Sequence, residues 1–493
     1  MAPAAVVTRS RPPGQSISAP DPPPPWRPLV SPNTMELDVP GTRAARRTLL
    51  EQIRALPAAT SVILISGGVG SRGLLRRFAK SAGITVSREY LGIPAAASPT
   101  CYVEDTPEAV RYFVSHVLAL PRGGMAASAV LAGARAAARF SWPRNFLGAV
   151  VPTRIALGLT APGDAEPGAA TQSSDLIAMA GMHSVVLALS KDPNAKVTVL
   201  FIPSGSSEPE LAMKVATTES AQASLAAERR VLVELRSALP GDVLATIPAV
   251  SELPHAPEHL ALVTTALQGT PMTVRYHSWH HVASPAAVRQ DFAMAERWLA
   301  KFQASVSGER NPIELHNHAA DILFQRFGAE DRFPPVMDRL IAIQKRLGAQ
   351  RSPRTPVHGD FWFGNLLLGG DEITGVVDWE AGMVAGDPVR DLARFALSYA
   401  LYLDRHTRPG RAVAGHSGLT AGNWGAGIEY AIGGEGWFPD LFRSFLQNGL
   451  VRLGADPERW RDAVLAGLVD VAATADHIEF ARSHWRLFDR LSA

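Results

Sequence analysis

Cysteine is nearly absent from this sequence, whose 493 residues include only Cys101. A single cysteine excludes an internal disulfide framework and any zinc site built from several cysteines. No apolar run reaches the roughly 18 to 20 residues of a membrane helix, and the opening stretch, MAPAAVVTRSRPPGQ, lacks the long apolar core of a secretory signal. These absences predict a cytoplasmic protein that has no membrane partner.

An excess of charge of one sign is also lacking. The formal net charge is +2, so the pI of 8.7 reflects a near balance of charges and predicts no nucleic-acid partner. Hydrophobic residues make up 46% and charged residues 19% of the chain, as in globular proteins. At about 150 residues per domain, this length predicts two to four domains.

Composition divides the chain into four predicted parts. Residues 1–40 are rich in proline, including DPPPPW, and predict a disordered tail; composition alone allows a proline-binding partner for it, and nothing else supports one. Residues 41–165 predict a small α/β accessory domain. Residues 166–270 predict a β-rich unit, and residues 271–493 a mostly helical one with short strands.

A glycine series follows the predicted strand SVILIS in the accessory domain. Gly68, Gly70 and Gly73 spell G-x-G-x-x-G before a predicted helix, and Glu89 lies about 20 residues further on, as in dinucleotide-binding loops. Only one β-α-β unit is visible, whereas a dinucleotide-binding fold needs several. The favoured interpretation is a tight turn, and a dinucleotide or methyl-donor enzyme is kept as an alternative.

The stretch TPVHGDFWFGNLLL, residues 355–368, carries the clearest chemical signal. Asp360 is followed five residues later by Asn365, then by an apolar strand, a Gly-Gly-Asp turn and a returning strand that ends at Asp378. Phosphoryl transfer needs a held phosphate donor, an aligned hydroxyl and neutralised charge. An Asp can position the hydroxyl and take its proton, while an amide oxygen and a second carboxylate are ligands that Mg²⁺ prefers.

HGDFWFGN, VVDWE and GDPVRDLARF together resemble the aminoglycoside phosphotransferase / choline kinase family, over roughly residues 170–490. The resemblance implies an α+β, two-lobed protein-kinase-like fold, with residues 166–270 as the N-lobe and residues 271–493 as the C-lobe. It also implies Mg²⁺-dependent transfer of the γ-phosphate of ATP, or of GTP, to a hydroxyl of a small molecule.

The same resemblance assigns roles to individual residues. Asp360 matches the catalytic Asp, Asn365 and Asp378 match the metal ligands, and His358 and Asp391 match residues that support the loop. Lys214, on a predicted strand, would bind phosphate, and Glu228, on the following helix, would be its partner. The hinge that meets adenine through backbone groups would comprise Val263, Thr264, Thr265 and Ala266.

Some features depart from the family pattern or leave alternatives open. The hairpin expected to cover the phosphates reads SKDPNAK, without a glycine series, which leaves the choice of nucleotide open. A catalytically silent nucleotide-binding or scaffold protein is therefore retained, and a protein kinase is disfavoured because HGD and DWE replace HRD and DFG. Six acidic residues could attract a cationic acceptor, but none is assigned: Asp291, Glu296, Glu314, Asp321, Glu330 and Asp331.

Overall fold

The computed structural model describes residue 29 and residues 34–57, 60–66, 71–93, 99, 101–118, 133, 154–160, 182–188, 195–252, 261–314, 319–330 and 332–493. Several predictions fall outside these residues. They concern most of the proline-rich tail, Gly68 and Gly70 of the glycine series, most of the SKDPNAK turn, and Asp331.

The described strands are short and mostly antiparallel. They are β1 Met35–Asp38, β2 Ser61–Ser66, β3 Ile84–Ile93, β4 Cys101–Glu104, β5 Arg154–Thr160, β6 His183–Ala188, β7 Lys196–Ile202, β8 Leu211–Ala216, β9 Ala261–Thr265, β10 Thr270–Pro271, β11 Arg310–Pro312, β12 Arg351–Pro353, β13 Thr355–Val357, β14 Leu366–Gly369, β15 Glu372–Val376 and β16 Met383–Gly386.

The helices lie mainly in the second half of the chain. They are α1 Arg43–Arg54, α2 Ser71–Ser81, α3 Pro107–Tyr112, α4 Glu219–Ala238, α5 Gly241–Leu244, α6 Met272–Tyr276, α7 Pro285–Ala304, α8 Ala319–Phe327, α9 Phe333–Gly348, α10 Val389–Leu401, α11 Ala426–Gly433, α12 Trp437–Arg452, α13 Trp460–Thr474 and α14 Ile478–Ser492. A π-helical turn, Phe113–Val117, continues α3.

One sheet of nine strands, in the order β1-β2-β5-β3-β4-β6-β7-β8-β9, runs through the first half of the chain. Only β1 and β2 are parallel neighbours; every other neighbouring pair in this sheet is antiparallel. The strand–helix–strand unit predicted around the glycine series is present as β2, α2 and β3. Strand β5 lies between β2 and β3, so these two strands do not pair with each other.

The sheet continues across the predicted boundary at residues 165 and 166, because β4 pairs with β6. A polar network reinforces this junction: Glu104 accepts hydrogen bonds from Arg88 at 2.7 Å and from the backbone of Ser184 at 2.8 Å. Glu104 is buried, and a buried carboxylate needs such partners. The accessory unit and the β-rich lobe therefore share backbone hydrogen bonds, while the domain boundaries themselves remain predictions.

Residues directly opposite each other in antiparallel strands lie on the same face of a sheet. Lys214 lies opposite Thr198 of β7 and Leu262 of β9, which identifies one face of the nine-stranded sheet, here called the Lys214 face. Helix α4 packs against β8 and β9, α3 against β4 and β6, and α2 against β2, β3 and β5. The Lys214 face is thus covered by three successive helical segments.

The helical lobe is built around amphipathic helices whose periodicity the sequence indicates. In α7, Phe292, Leu299 and Phe302 recur at helical spacing and are buried, and Ser284 caps the helix by accepting a hydrogen bond from the amide of Ala287. Apolar residues at such spacing form one stripe that packs on the core. Among the described helices, none combines the length and the apolar character that crossing a membrane requires.

Candidate active site

The loop after β13 is held in shape by its backbone. Gly359 has a φ of +80°, and a Cβ at this position would overlap the carbonyl oxygen of Ala381. Asp391, in the first turn of α10, accepts hydrogen bonds from the amides of His358 and Gly359, each at 2.8 Å. Position 359 therefore requires glycine, and the buried carboxylate of Asp391 fixes the loop to α10.

His358 is fully buried beneath the loop. Its Nδ1 accepts a hydrogen bond from the amide of Asp360 at 3.2 Å, and its Nε2 lies 3.0 Å from the carbonyl oxygen of Val377. This pattern requires the proton on Nε2. Burial lowers the pKa of His358, so the imidazole is neutral, and it joins the loop that carries Asp360 to the segment just before Asp378.

Asp360 faces a groove, with 28% of its side chain exposed. Arg394 of α10 donates to Oδ1 of Asp360 from Nε at 2.7 Å and from Nη2 at 2.6 Å. The amide nitrogen of Asn365 donates to the backbone oxygen of Asp360 at 3.0 Å and lies 3.3 Å from Oδ2. Because its nitrogen is turned to Asp360, the amide oxygen of Asn365 faces the other way.

Asp378 follows β15 and has a φ of +73°, a backbone region that non-glycine residues rarely adopt outside functional sites. Its Oδ1 lies 2.9 Å from Nζ of Lys214. Desolvation alone would raise the pKa of Asp378, but Lys214 and Lys196 lower it to about 2. The carboxylate is therefore ionised at any pH at which the protein is expected to work.

Lys214 joins Asp378 to helix α4. Its Nζ also donates to both carboxylate oxygens of Glu228, at 2.7 and 2.8 Å, and Glu228 is buried. Desolvation would lower the pKa of Lys214, yet Asp378 and Glu228 together raise it. Lys214 and Glu228, predicted to be partners, are therefore in contact, and the ammonium group of Lys214 lies between the carboxylates of Glu228 and Asp378.

A second lysine lies beside this group, and sequence reasoning missed it. Lys196, at the start of β7, donates to Ser224 Oγ at 2.8 Å and forms an ion pair with Glu380. Carboxylate oxygens of Glu228, Asp378 and Glu380 lie within 4.8 Å of one another. The only signal in the sequence was position, because Lys196 is on the same face as Lys214 and Glu380 is two residues after Asp378.

The four residues predicted as the adenine hinge lie in β9 and directly after it. Two of their backbone amides are already used within the protein: that of Thr265 donates to the carbonyl of Ala249 at 2.8 Å, and that of Ala266 to the carbonyl of Glu210 at 2.9 Å. The carbonyl of Val263 accepts from the amide of Ser251, and Thr264 is buried in the sheet. These groups hold the sheet together, so base recognition through the amides of Thr265 and Ala266 is not supported.

The arrangement of Lys214, Glu228, Asp360, Asn365 and Asp378 can now be compared with known protein families. Residues 197–427 match the model of the phosphotransferase enzyme family. The predicted resemblance is thereby confirmed. The fold is α+β and two-lobed, of the protein-kinase-like kind, and the accessory unit precedes it. No curated protein sequence matches the chain.

Several solved structures show similarity to part of this chain. A thermostable mutant of aminoglycoside phosphotransferase APH(4)-Ia, in complex with AMP-PNP and hygromycin B, is 13% identical, with a TM-score of 0.41 over 64% of this chain and 96% of the other. Macrolide 2'-phosphotransferase MphH from Brachybacterium faecium is 17% identical, with a TM-score of 0.34 over 59% and 95%. A choline/ethanolamine kinase family protein from Mesorhizobium loti is 15% identical, with a TM-score of 0.37 over 66% and 91%.

Two cavities meet at Asp360 and Arg394. The larger has a volume of about 710 Å³ and is lined in part by Trp424, Asp476 and Glu479. The smaller, of about 250 Å³, reaches Asn365, Asp378 and the aromatic side chains of Trp362, Tyr402 and Phe480. The larger cavity therefore reaches Asp360 without including the metal-ligand candidates Asn365 and Asp378 in its lining.

The acidic residues considered for a cationic acceptor are placed elsewhere. Asp291, Glu296, Glu314, Asp321 and Glu330 line neither cavity. Asp291 is completely buried, with His281, Arg275 and Tyr399 as its partners. Besides Asp360 and Glu380, the carboxylates that line the larger cavity come from α13, α14 and the turn between them, which no short motif marks.

The acidic residue on which the dinucleotide-binding alternative depends is already engaged within the protein. Glu89, placed where a ribose-binding acid would be expected, is engaged by Arg76 of α2 at 2.6 and 2.9 Å. Gly73 lies within α2 rather than in a loop. The described part of this unit therefore gives no support to a cofactor site.

Proposed function

We propose that the protein is a Mg²⁺-dependent phosphotransferase that moves the γ-phosphate of ATP to a hydroxyl of a small molecule, in the cytoplasm. The observation that carries the proposal is the placement of Asp360, Asn365 and Asp378 around one groove, with Lys214 paired to both Asp378 and Glu228. An acid facing an open cavity, oxygen ligands and a phosphate-binding lysine are the parts that phosphoryl transfer needs.

The residues fit a magnesium ion. Asp378 is held ionised by two lysines, and the amide of Asn365 is turned so that its oxygen is free to face the groove. Both offer hard oxygen ligands, and Mg²⁺ commonly combines one or two carboxylates with phosphate oxygens and water. Asn365 and Asp378 would hold the ion, which would neutralise charge on the transferring phosphate.

Asp360 is the group placed to act on the acceptor. Its carboxylate would align the hydroxyl and take its proton as the acceptor oxygen bonds to the γ-phosphorus, while the bond to the bridging oxygen breaks and ADP leaves. Arg394 donates to Oδ1 of Asp360 and Asn365 donates weakly to Oδ2 at 3.3 Å, so the hydroxyl would use the remaining acceptor capacity of Oδ2. Arg394 is thus a positioning residue that fixes the orientation of the base.

The larger cavity supports an acceptor with a positively charged amine. Asp476 lines it, together with the aromatic side chains of Trp424 and Phe480, whereas Glu479, which also lines it, is paired with Arg482. Aromatic faces and carboxylates both attract ammonium groups. Of its other charged residues, Asp470 is already engaged by Arg390 at 2.9 Å, so we assign it to the wall rather than to the acceptor.

Asp360→Asn tests the proposal most directly. The variant keeps the shape of the side chain but removes its basicity, so transfer from MgATP to a panel of amine-bearing alcohols should fall at least about a hundredfold. MgATP binding should change little. Asp242→Asn, an exposed carboxylate paired with Lys301, is the matched control. Full activity of Asp360→Asn would refute the assignment of the base.

A further inference from the structure

The segment Pro107–Val117, here called the cover segment, lies on the Lys214 face of the sheet. It comprises α3 and the π-helical turn that follows. Phe113 and Val114 are 3% and 1% exposed and are buried in one apolar cluster with Val103 and Val185 of the sheet. The accessory unit therefore contributes a helix to the face that carries the phosphate-binding lysine.

The strand register shows which part of the face the cover segment occupies. Leu91, Val103, Val185, Leu200 and Ala212 form one row of side chains across β3, β4, β6, β7 and β8, each opposite the next. Ala212 is two residues before Lys214 on the same strand, so the row is adjacent to the lysine on the same face. The cover segment packs on the first three members of the row, and Leu200 packs against the same cluster.

A nucleotide whose phosphates reach Lys214 would place its base on this row. Lys196, the first residue of β7, lies at one end of the strands, and the end of β9, from which the chain passes to the helical lobe, lies at the other. With phosphates between Lys214 and Asp378, a flat aromatic base that extends toward the end of β9 would lie over Ala212 and Leu200. Apolar side chains of this kind form the walls of ligand sites.

The polar end of the cover segment reaches across to the helical lobe. His116 Nδ1 lies 3.2 Å from Oγ1 of Thr270, and its Nε2 lies 3.3 Å from Glu208 in the turn between β7 and β8. Thr270 belongs to β10 and lies opposite Leu368 of β14, the strand that begins directly after the metal-ligand candidate Asn365. The segment thus contacts the turn between β7 and β8 on one side and strand β10 on the other. The space where a base would be inserted lies between them.

From this placement we propose that the cover segment occupies the base site of the phosphate donor and acts as an internal inhibitor, so that MgATP binds only when Pro107–Val117 leaves the Lys214 face. This inference rests on the proposed function. Only the fraction of molecules with the segment released would be competent, and the apparent dissociation constant for MgATP would rise by the inverse of that fraction. The accessory unit would then regulate the enzyme through its nucleotide site.

Substitutions that loosen the segment test the inference on the full-length protein. His116→Ala removes the contacts to Thr270 and Glu208, and Val114→Ser weakens the apolar contact; each should tighten MgATP binding, by about tenfold if the segment covers the site in nine of ten molecules. Arg76→Ala, which breaks an ion pair of the same unit outside the segment, is the control and should leave the affinity unchanged. Titration calorimetry gives the affinities.

Hydrogen exchange supplies the second measurement. Saturating MgATP should speed amide exchange in residues 107–117 of the wild type, because released helical amides lose protection. If MgATP binds and phosphate is transferred while exchange in residues 107–117 is unchanged or slower, the inhibitor role is overturned and the proposed function stands. If neither the wild type nor either loosened variant binds MgATP, the segment is not what keeps the nucleotide out, and both proposals fail.

Discussion

The segment proposed to carry catalysis, residues 355–401 and here called the catalytic segment, and the accessory unit, predicted as residues 41–165, both contain paired charges, but they use them differently. In the catalytic segment Asp360 is paired with Arg394 and still faces a cavity. In the accessory unit the pairs Arg88–Glu104 and Arg76–Glu89 connect neighbouring strands or a strand and a helix, and neither pair lines the two cavities at Asp360. An ion pair alone therefore does not identify an active site. A carboxylate that is ion-paired and also lines a cavity is the stronger indication.

Backbone strain separates the same two regions. Among the described non-glycine residues only His280 and Asp378 have a positive φ, and Asp378 lies in the catalytic segment. Strained backbone persists where the surrounding contacts hold it and where function uses it. Substitutions in the catalytic segment should consequently affect activity first, whereas substitutions in the accessory unit outside the cover segment should affect stability first.

The largest effect is expected at Asp378. Asp378→Asn tolerates the positive φ, since Asn adopts this region readily, but it loses the charge that we propose binds the metal. Nucleotide binding should lose its dependence on Mg²⁺, and transfer should fall at least about a hundredfold. Thermal shifts with and without Mg²⁺ and ATP measure this; equal MgATP affinity in wild type and variant would contradict the metal role.

Gly359 offers a test of loop geometry. Gly359→Ala places a methyl group against the carbonyl of Ala381 at a φ of +80°, so transfer should fall by more than about tenfold and the melting temperature should drop. Gly370→Ala is the control, because its φ is +64° but nothing lies within 4 Å of the new methyl group; it should cost only about 1–2 kcal/mol. Equal effects of the two substitutions would mean that the contact with Ala381 is unimportant.

Phe78→Ala examines the accessory unit. Phe78 of α2 is 4% exposed and packs with Val62 and Leu64 of β2, so its truncation should cost about 3–5 kcal/mol. Because the sheet is continuous, a single unfolding transition should shift as a whole, with kcat per folded molecule unchanged. Calorimetry that resolves a separate early transition for the accessory unit would show that the sheet does not unfold as one cooperative structure.

The smallest effect concerns His484, which lines the smaller cavity. Burial lowers the pKa of His484 to about 3, against about 6.5 in an unfolded chain. Between these values the unfolded state binds a proton that the native state does not, so stability is lost as the pH falls from about 6.5 toward 3. His484→Gln should reduce that loss, measured by denaturant unfolding at pH 7 and pH 5; an identical pH dependence would exclude this contribution.

The parts of the site that one segment encodes could be predicted. The spacing of Asp360 and Asn365, and the hairpin that returns to Asp378, are local consequences of a tight loop and a Gly-Gly-Asp turn. Helix α4 with Glu228 also follows from local signals, because Thr218 caps it and apolar residues recur at helical spacing. In each case the chemistry requires particular residue types at short separations.

Contacts between distant segments could not be predicted. Nothing local in Arg394 indicates that it meets Asp360, and nothing in Lys196 indicates Glu380. The insertion of β5 between β2 and β3 depends on pairing residues about 90 positions apart, which sequence periodicity does not encode. The prediction of a separate accessory domain followed from composition, whereas the shared sheet depends on β4 meeting β6.

Three residues within a five-residue stretch of helix α10 each contact a different part of the site. Arg390 contacts Asp470 of α13, Asp391 binds the loop amides, and Arg394 orients Asp360. Each residue of an α-helix turns the next by about 100°, so one residue inserted or deleted at the start of α10 would rotate all three away together. The site therefore depends on an unbroken residue count at the start of α10. In related proteins, insertions and deletions should be tolerated in surface turns but not within the first two turns of this helix.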